Sequence, residues 1–174
     1  MNLNYKQLGM YLLVGIASGF LCLLLKDLIA HKRWIDVYPG FVLGAMILLA
    51  GRYISGIGPR HLWFSPLILI LFCGIGWNLA VGIGVNRGYV PHLLWEVESG
   101  VVGGLFVGTG LAFAWKLKSV WVVILLATVA GGLGGVVVKL EGTMDWMFVY
   151  WQGIVLLGIG VAVQINSNKP SIKQ

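Results

Sequence analysis

Along the chain, long uncharged apolar runs alternate with short breaks marked by charge or proline. A bilayer core of about 30 Å needs roughly 20 apolar residues in helical form, so each run reads as a membrane-spanning helix. Six are predicted, over 7–25, 37–51, 62–85, 99–115, 119–138 and 147–165. The second and fourth are short for a full crossing, so Arg52 is expected to snorkel to the surface and the ends to borrow flanking residues. Lys26 and Asp27 close the first run without a small-residue cleavage site, so it reads as a retained helix and not as a secretory signal. Pro39 and Pro66 fall in first helical turns, where the missing N–H costs nothing, and Pro59, Pro91 and Pro170 fall in loops or the tail.

Composition agrees with this pattern. Hydrophobic residues make up 59% of the chain and charged residues 10%, against about 25% charged in a typical soluble domain. The mean hydropathy is +0.91. Such a chain cannot hide its apolar surface in a water-facing globule, and its 12 Lys and Arg are scattered without forming a basic face. Soluble enzymes and nucleic-acid binders are thereby excluded, and membrane lipid is the expected surrounding. Residues 1–174 read as a single transmembrane domain. Cys22 and Cys73 lie in apolar runs without ligand spacing, so neither predicts a disulfide, a metal or a redox role.

Six spans put the N-terminus, the 52–62 loop, the 116–118 loop and the C-terminus on one side. That side carries Lys6, Arg52, Arg60, Lys116, Lys118, Lys169 and Lys173 and no acid. The other carries Lys26, Lys32, Arg33, Arg87 and Lys139 together with all the acids: Asp27, Asp36, Glu96, Glu98, Glu141 and Asp145. The excess of Lys and Arg places both termini in the cytoplasm, and the expected setting is a bacterial inner membrane. Trp and Tyr are expected to form two headgroup belts: Trp34, Tyr38, Trp77, Tyr89, Trp95, Trp146, Tyr150 and Trp151 on the outer side, Tyr5, Tyr53, Trp63, Trp115 and Trp121 on the inner side.

The approaches to the even-numbered helices resemble one another. His31-Lys-Arg-Trp34 and His92-Leu-Leu-Trp95 each lead through a Val to Gly40 or Gly100, and Trp146 or Trp151 precedes Gly153 in the third. Residues 12–26 also align without gaps on 125–139. The fold class expected is an all-α integral membrane protein of six transmembrane helices, built as three tandem two-helix hairpins in parallel repeat, over 7–55, 63–115 and 119–165. Glycines four apart, as at Gly15/Gly19, Gly40/Gly44, Gly100/Gly104/Gly108 and Gly131/Gly135, predict close backbone approach between helices.

No charged residue lies near the middle of a span, which argues against midplane proton relays and coupled-ion sites. Polar positions within the spans are few, and Asn78 and Gln152, in the outer third of their helices, stand out as amides needing a partner. On the outer side, Asp27 and His31 are four apart, as are His92 and Glu96, with Asp36 and Glu98 close by. On a helix each pair shares a face, and an imidazole beside a carboxylate can hold a cation or pass a proton. Solvated interfacial charge explains the same residues, and the identity of any metal stays open. There is no HExxH, GxSxG, P-loop or dinucleotide fingerprint, so neither catalysis nor a cofactor is expected.

Two functions remain open on the sequence. In the first, a transport or permeation protein draws a small cationic or polar solute to an acidic outer vestibule of His31, Asp36, His92, Glu96 and Glu98, with Asn78 and Gln152 deeper. In the second, a non-catalytic accessory or assembly subunit packs through its glycine faces on a membrane protein partner or on further copies of itself. The helix count also fits a substrate-capture subunit of a multi-component importer. The direction in which the uncommitted small and polar residues point separates the first two.

Overall fold

The computed structural model describes residues 3–29, 37–61, 63–86, 93–141 and 146–167. These form six α-helices: α1 (Tyr5–Ile29), α2 (Tyr38–Ile54), α3 (Phe64–Asn86), α4 (Leu93–Ala114), α5 (Val120–Glu141) and α6 (Met147–Ser167). Five of them are long and apolar enough to cross a membrane. The exception, α2, has 17 residues, which at 1.5 Å per residue reach about 26 Å.

Local chemistry sets the helix ends. Asn4 caps α1, its Oδ1 accepting the Gln7 N–H at 3.2 Å. Pro39 stands in the first turn of α2, where its fixed φ suits a helix start. Past the end of α2, Gly56 takes φ +64° and lets the Ile57 N–H reach back to the Gly51 carbonyl at 2.9 Å. The fourth helix corrects an expectation. It begins at Leu93, not near Ser99, so it is a full-length span with Glu96 in its first turn. Negative charge is favourable at a helix N-terminus, so the acids that delimited the apolar run sit inside the helix instead of before it.

The six helices form an up-and-down ring in which each packs on its chain neighbours and α6 closes on α1. Ring neighbours are antiparallel throughout. A Cβ added at Gly15 would lie 2.6 Å from the Gln152 carbonyl oxygen, while one at Gly19 would strike Val149. Along α4 and α5, Gly100 faces the Gly131 carbonyl, Gly104 the Ala127 carbonyl, and Gly108 the Ile124 Cα at 2.8 Å. Gly40 of α2 faces the Cys73 carbonyl of α3. Each is a place where only glycine allows the backbones to touch, as the four-residue spacing predicts.

α6 is the most enclosed helix, and the middle of the bundle beside it is aromatic. Trp77 stacks on Phe148 at 5.3 Å and meets Trp151 edge-on at 5.7 Å. The Trp151 indole sits in a notch made by Gly103 and Gly134, whose added Cβ atoms would meet it at 2.7 and 2.8 Å. The belt expectation holds for Tyr5, Tyr53, Trp63 and Trp121, all about four-fifths exposed, and fails for Trp77, Trp115 and Trp151, which are buried. Trp115 and Trp151 fill spaces left by glycines and Trp77 packs on the rings of Phe148 and Trp151, so all three gain packing that lipid would not supply.

The end where α1 begins and α6 ends is tied by amides. Gln164 Oε1 accepts the Asn4 N–H at 2.7 Å and its Nε2 donates to the Asn4 carbonyl at 3.0 Å. Asn166 Oδ1 accepts the Ser119 N–H at 2.6 Å. Arg60 donates from its backbone N–H to the Ala114 carbonyl and from Nε to the Trp115 carbonyl, both at 2.8 Å. Carbonyls and N–H groups that helix ends leave without intrahelical partners are thereby satisfied.

Candidate functional site

Polar residues on α1 follow helical spacing. Gln7, Tyr11, Ser18 and Cys22 recur at intervals of four, seven and four residues, and a helix stacks such positions on one face. That face points into the bundle: Tyr11, Ser18 and Cys22 are wholly buried. Opposite them stand α2 and α6. The Tyr11 hydroxyl and the Ser55 Oγ lie 2.8 Å apart, and Gln7 Nε2 donates to Ser55 Oγ at 2.8 Å and to the Ile54 carbonyl at 3.3 Å. Gly160 of α6 makes room for the Tyr11 ring, whose Cγ would be 2.9 Å from a Cβ there.

Further along the same face, the Tyr38 hydroxyl donates to the Cys22 carbonyl at 3.0 Å. Gln152, wholly buried on α6, points its Nε2 at Cys22 Sγ (3.4 Å) and at the Pro39 carbonyl (3.5 Å). Among the described residues its Oε1 has no hydrogen-bond partner, and neither has the buried Ser18 Oγ. A buried polar atom without a partner costs about 1–3 kcal/mol, and native proteins keep few of them. The seam between α1, α2 and α6 thus carries polar atoms along most of its length. Of the ring neighbours, α1 and α2 touch least extensively, so the seam is loose on its α2 side, while on its α6 side backbones touch at Gly15 and Gly19.

Where the structure describes them, the residues singled out by sequence fall on three different helices. Gln152 belongs to this seam. Asn78 lies on the exposed face of α3, away from Gln152. Glu96, half-buried, and Glu98, exposed, occupy the start of α4. His31, Asp36 and His92 lie outside the described residues, as do Trp34 and Tyr89. Among the described residues no group of three or more His, Cys, Asp or Glu is placed to hold a metal ion. Tyr11, Cys22, Tyr38 and Ser55 were not singled out for this site. The signal that finds them is the spacing of polar side chains on α1, where no single residue is unusual.

Six helices among the described residues, five of membrane-crossing length with large apolar side chains turned outward, define a small multi-pass helical membrane protein. Comparison with known proteins finds no matching family model, no matching curated protein and no matching solved structure.

Proposed function

We propose that this protein carries a small polar or cationic solute across a membrane along the α1–α2–α6 seam. The observation that carries the reading is the buried polar face of α1, with Tyr11, Ser18 and Cys22 wholly enclosed opposite Ser55 and Gln152. Buried polar side chains within a membrane span are costly and concentrate on substrate paths. The aromatic packing of Trp77, Trp151 and Phe148 stands against a route through the α3–α6 half. The helix ends that carry Asp27, Glu96, Glu98 and Glu141 share one end of the bundle. In this reading Asp27, at the end of α1, stands at the mouth of the seam, and the acids of α4 and α5 draw cations to the same end of the bundle. We place that end outside a bacterial inner membrane, with the start of α1 in the cytoplasm.

The architecture proposed is three parallel hairpins, α1–α2, α3–α4 and α5–α6. Supporting it, the glycines that abut a neighbour's backbone fall at cyclically equivalent joints, α2 on α3 at Gly40, α4 on α5 at Gly100, and α6 on α1 at Gly15 and Gly19, whereas Gly76, Gly110 and Gly158 at the other joints meet side chains first.

Flux into proteoliposomes tests the function. Vesicles loaded with a pH-sensitive or potassium-sensitive dye are expected to respond to ammonium or potassium faster than protein-free vesicles. Gln152→Leu is expected to slow the response by about tenfold or more, the loss of one polar contact to a charged solute. Equal rates with and without protein for ammonium, potassium and glycerol would sink the reading.

A second reading, an accessory subunit or self-associating chain, is favoured by Asn78. Its amide lies on an exposed face with Leu71, Ile75 and Leu79, about 7 Å from the middle of its span. One helical turn on, Gly82 has nothing within 4 Å of an added Cβ. An amide at that depth in lipid gains from an interhelical hydrogen bond. Gly82→Cys is expected to crosslink to a second polypeptide in native membranes, and Asn78→Leu to weaken that crosslink. A monomeric band at every crosslinker length would remove this reading.

A further inference from the structure

We infer that Ser18 and Gln152 form a binding step for a monovalent cation of the ammonium or alkali class. Both side chains are wholly buried, and among the described residues Ser18 Oγ and Gln152 Oε1 are both without a protein partner. The orientation of the amide is fixed by chemistry. Its Nε2 faces the Pro39 carbonyl at 3.5 Å and Cys22 Sγ at 3.4 Å, and the reverse orientation would set two carbonyl oxygens against each other. The free group is therefore the acceptor.

The two oxygens share a level in the membrane. On α1, Ser18 lies between Gly15, which abuts Gln152 and Gly153, and Gly19, which abuts Val149. A helical side chain leans toward its own N-terminus, so Gln152 leans from its own position toward Val149, which abuts Gly19 next to Ser18. Cys22, one turn beyond Ser18, meets the amide from the other side.

The chemistry of the lining selects the ligand. Ser18, Cys22, Tyr38, Pro39 and Gln152 supply neutral oxygens and a thiol and no charged group. The Gln152 Oε1, which can only accept, repels an anion, while the Ser18 hydroxyl can turn its lone pairs to a cation. A divalent ion takes six or more oxygens, carboxylates among them, and sheds its water reluctantly. A monovalent cation asks less, and ammonium can donate to both oxygens at once. Backbone contact between α1 and α6 at Gly15 limits the occupant to a few atoms. The role of this ion as the solute rests on the permeation reading above, whereas its binding is measured without flux.

The test is thermal melting of the purified protein, first in choline chloride and then titrated with ammonium, potassium, sodium or calcium chloride at constant ionic strength. A saturable rise in melting temperature is expected with ammonium or an alkali ion. Ser18→Ala is expected to shift its midpoint to about tenfold higher concentration, the loss of one hydrogen bond to a charged group. Gln152→Leu is expected to abolish it, and if that variant does not fold, Gln152→Glu replaces it, with tighter binding expected. Identical melting in all salts, or a rise with calcium alone, would overturn the inference. Binding without flux would leave the site standing and end the permeation reading, and flux without binding would do the reverse.

Discussion

One added methyl group at Gly100 is expected to destabilise the bundle by about 3 kcal/mol, the upper part of the range for overpacking a close-packed interior. The Cβ of Gly100→Ala would land on the Gly131 carbonyl oxygen, 2.9 Å from its carbon and 3.2 Å from the Gly135 nitrogen. These are backbone atoms and cannot rotate away. Relief requires α4 and α5 to separate, and separation also opens the contacts of Gly104 with Ala127, Gly131 with Gly100, and Gly135 with the Glu96 carbonyl. In detergent the variant is expected to melt several degrees below the native protein. Gly82→Ala is the control, since nothing lies within 4 Å of its added Cβ. It relieves a helix of a poor helix former and should leave stability equal or raised by up to about 1 kcal/mol. If Gly100→Ala melted at or above the native temperature, as Gly82→Ala is expected to, the α4–α5 backbones would not be in contact.

That interface was legible in the sequence because its cause is local. Glycines four residues apart lie on one face of a helix wherever the helix sits, so the spacing of Gly100, Gly104 and Gly108 carries the approach within it. The spans were legible for the same reason, a run of apolar residues being a property of the segment alone. The start of α4 was not, because an apolar window stops at Glu96 and Glu98 while the helix continues through them to Leu93. Tryptophan was half legible. Trp63 and Trp121 are exposed at 83% and 79%, as a headgroup belt requires, whereas Trp151 is held by glycines of α4 and α5. An indole suits either place, and its choice depends on notches made by other helices. The polar seam lies between these cases. The periodicity of Gln7, Tyr11, Ser18 and Cys22 is in the sequence of α1, but that Gln152 and Ser55 answer it depends on how α6 and α2 dock.

Removing the indole of Trp115 is expected to cost about 3–5 kcal/mol, as for other buried Trp→Ala changes, with the loss concentrated at the end of α2. Trp115 is 1% exposed and lies just past the end of α4. Its ring lies over Gly51 of α2, where an added Cβ would strike Cζ2, and its carbonyl accepts from Arg60 Nε at 2.8 Å. Pro59 pairs with it as an isolated bridge. One residue thus fastens the short helix and the loop after it to α4. α2 is otherwise held by α3 and, less extensively, by α1, so the indole bears more of its attachment than a core residue in α6 would. Trp115→Ala is expected to raise amide exchange over residues 47–57 while leaving 149–163 protected, a local opening at the least stable joint. Gly51→Ala should be destabilising alone and largely rescued by Trp115→Leu, with a coupling of about 1–3 kcal/mol in the double-mutant cycle. Additive costs would mean that the ring does not rest on Gly51. Because Ser55 and Tyr11 meet one turn beyond Gly51, the opened α2 would also loosen one end of the polar seam. In the flux assay Trp115→Ala is therefore expected to leak ammonium and the much larger sucrose alike, a loss of selectivity that Gly100→Ala, on the far side of the ring, should not share.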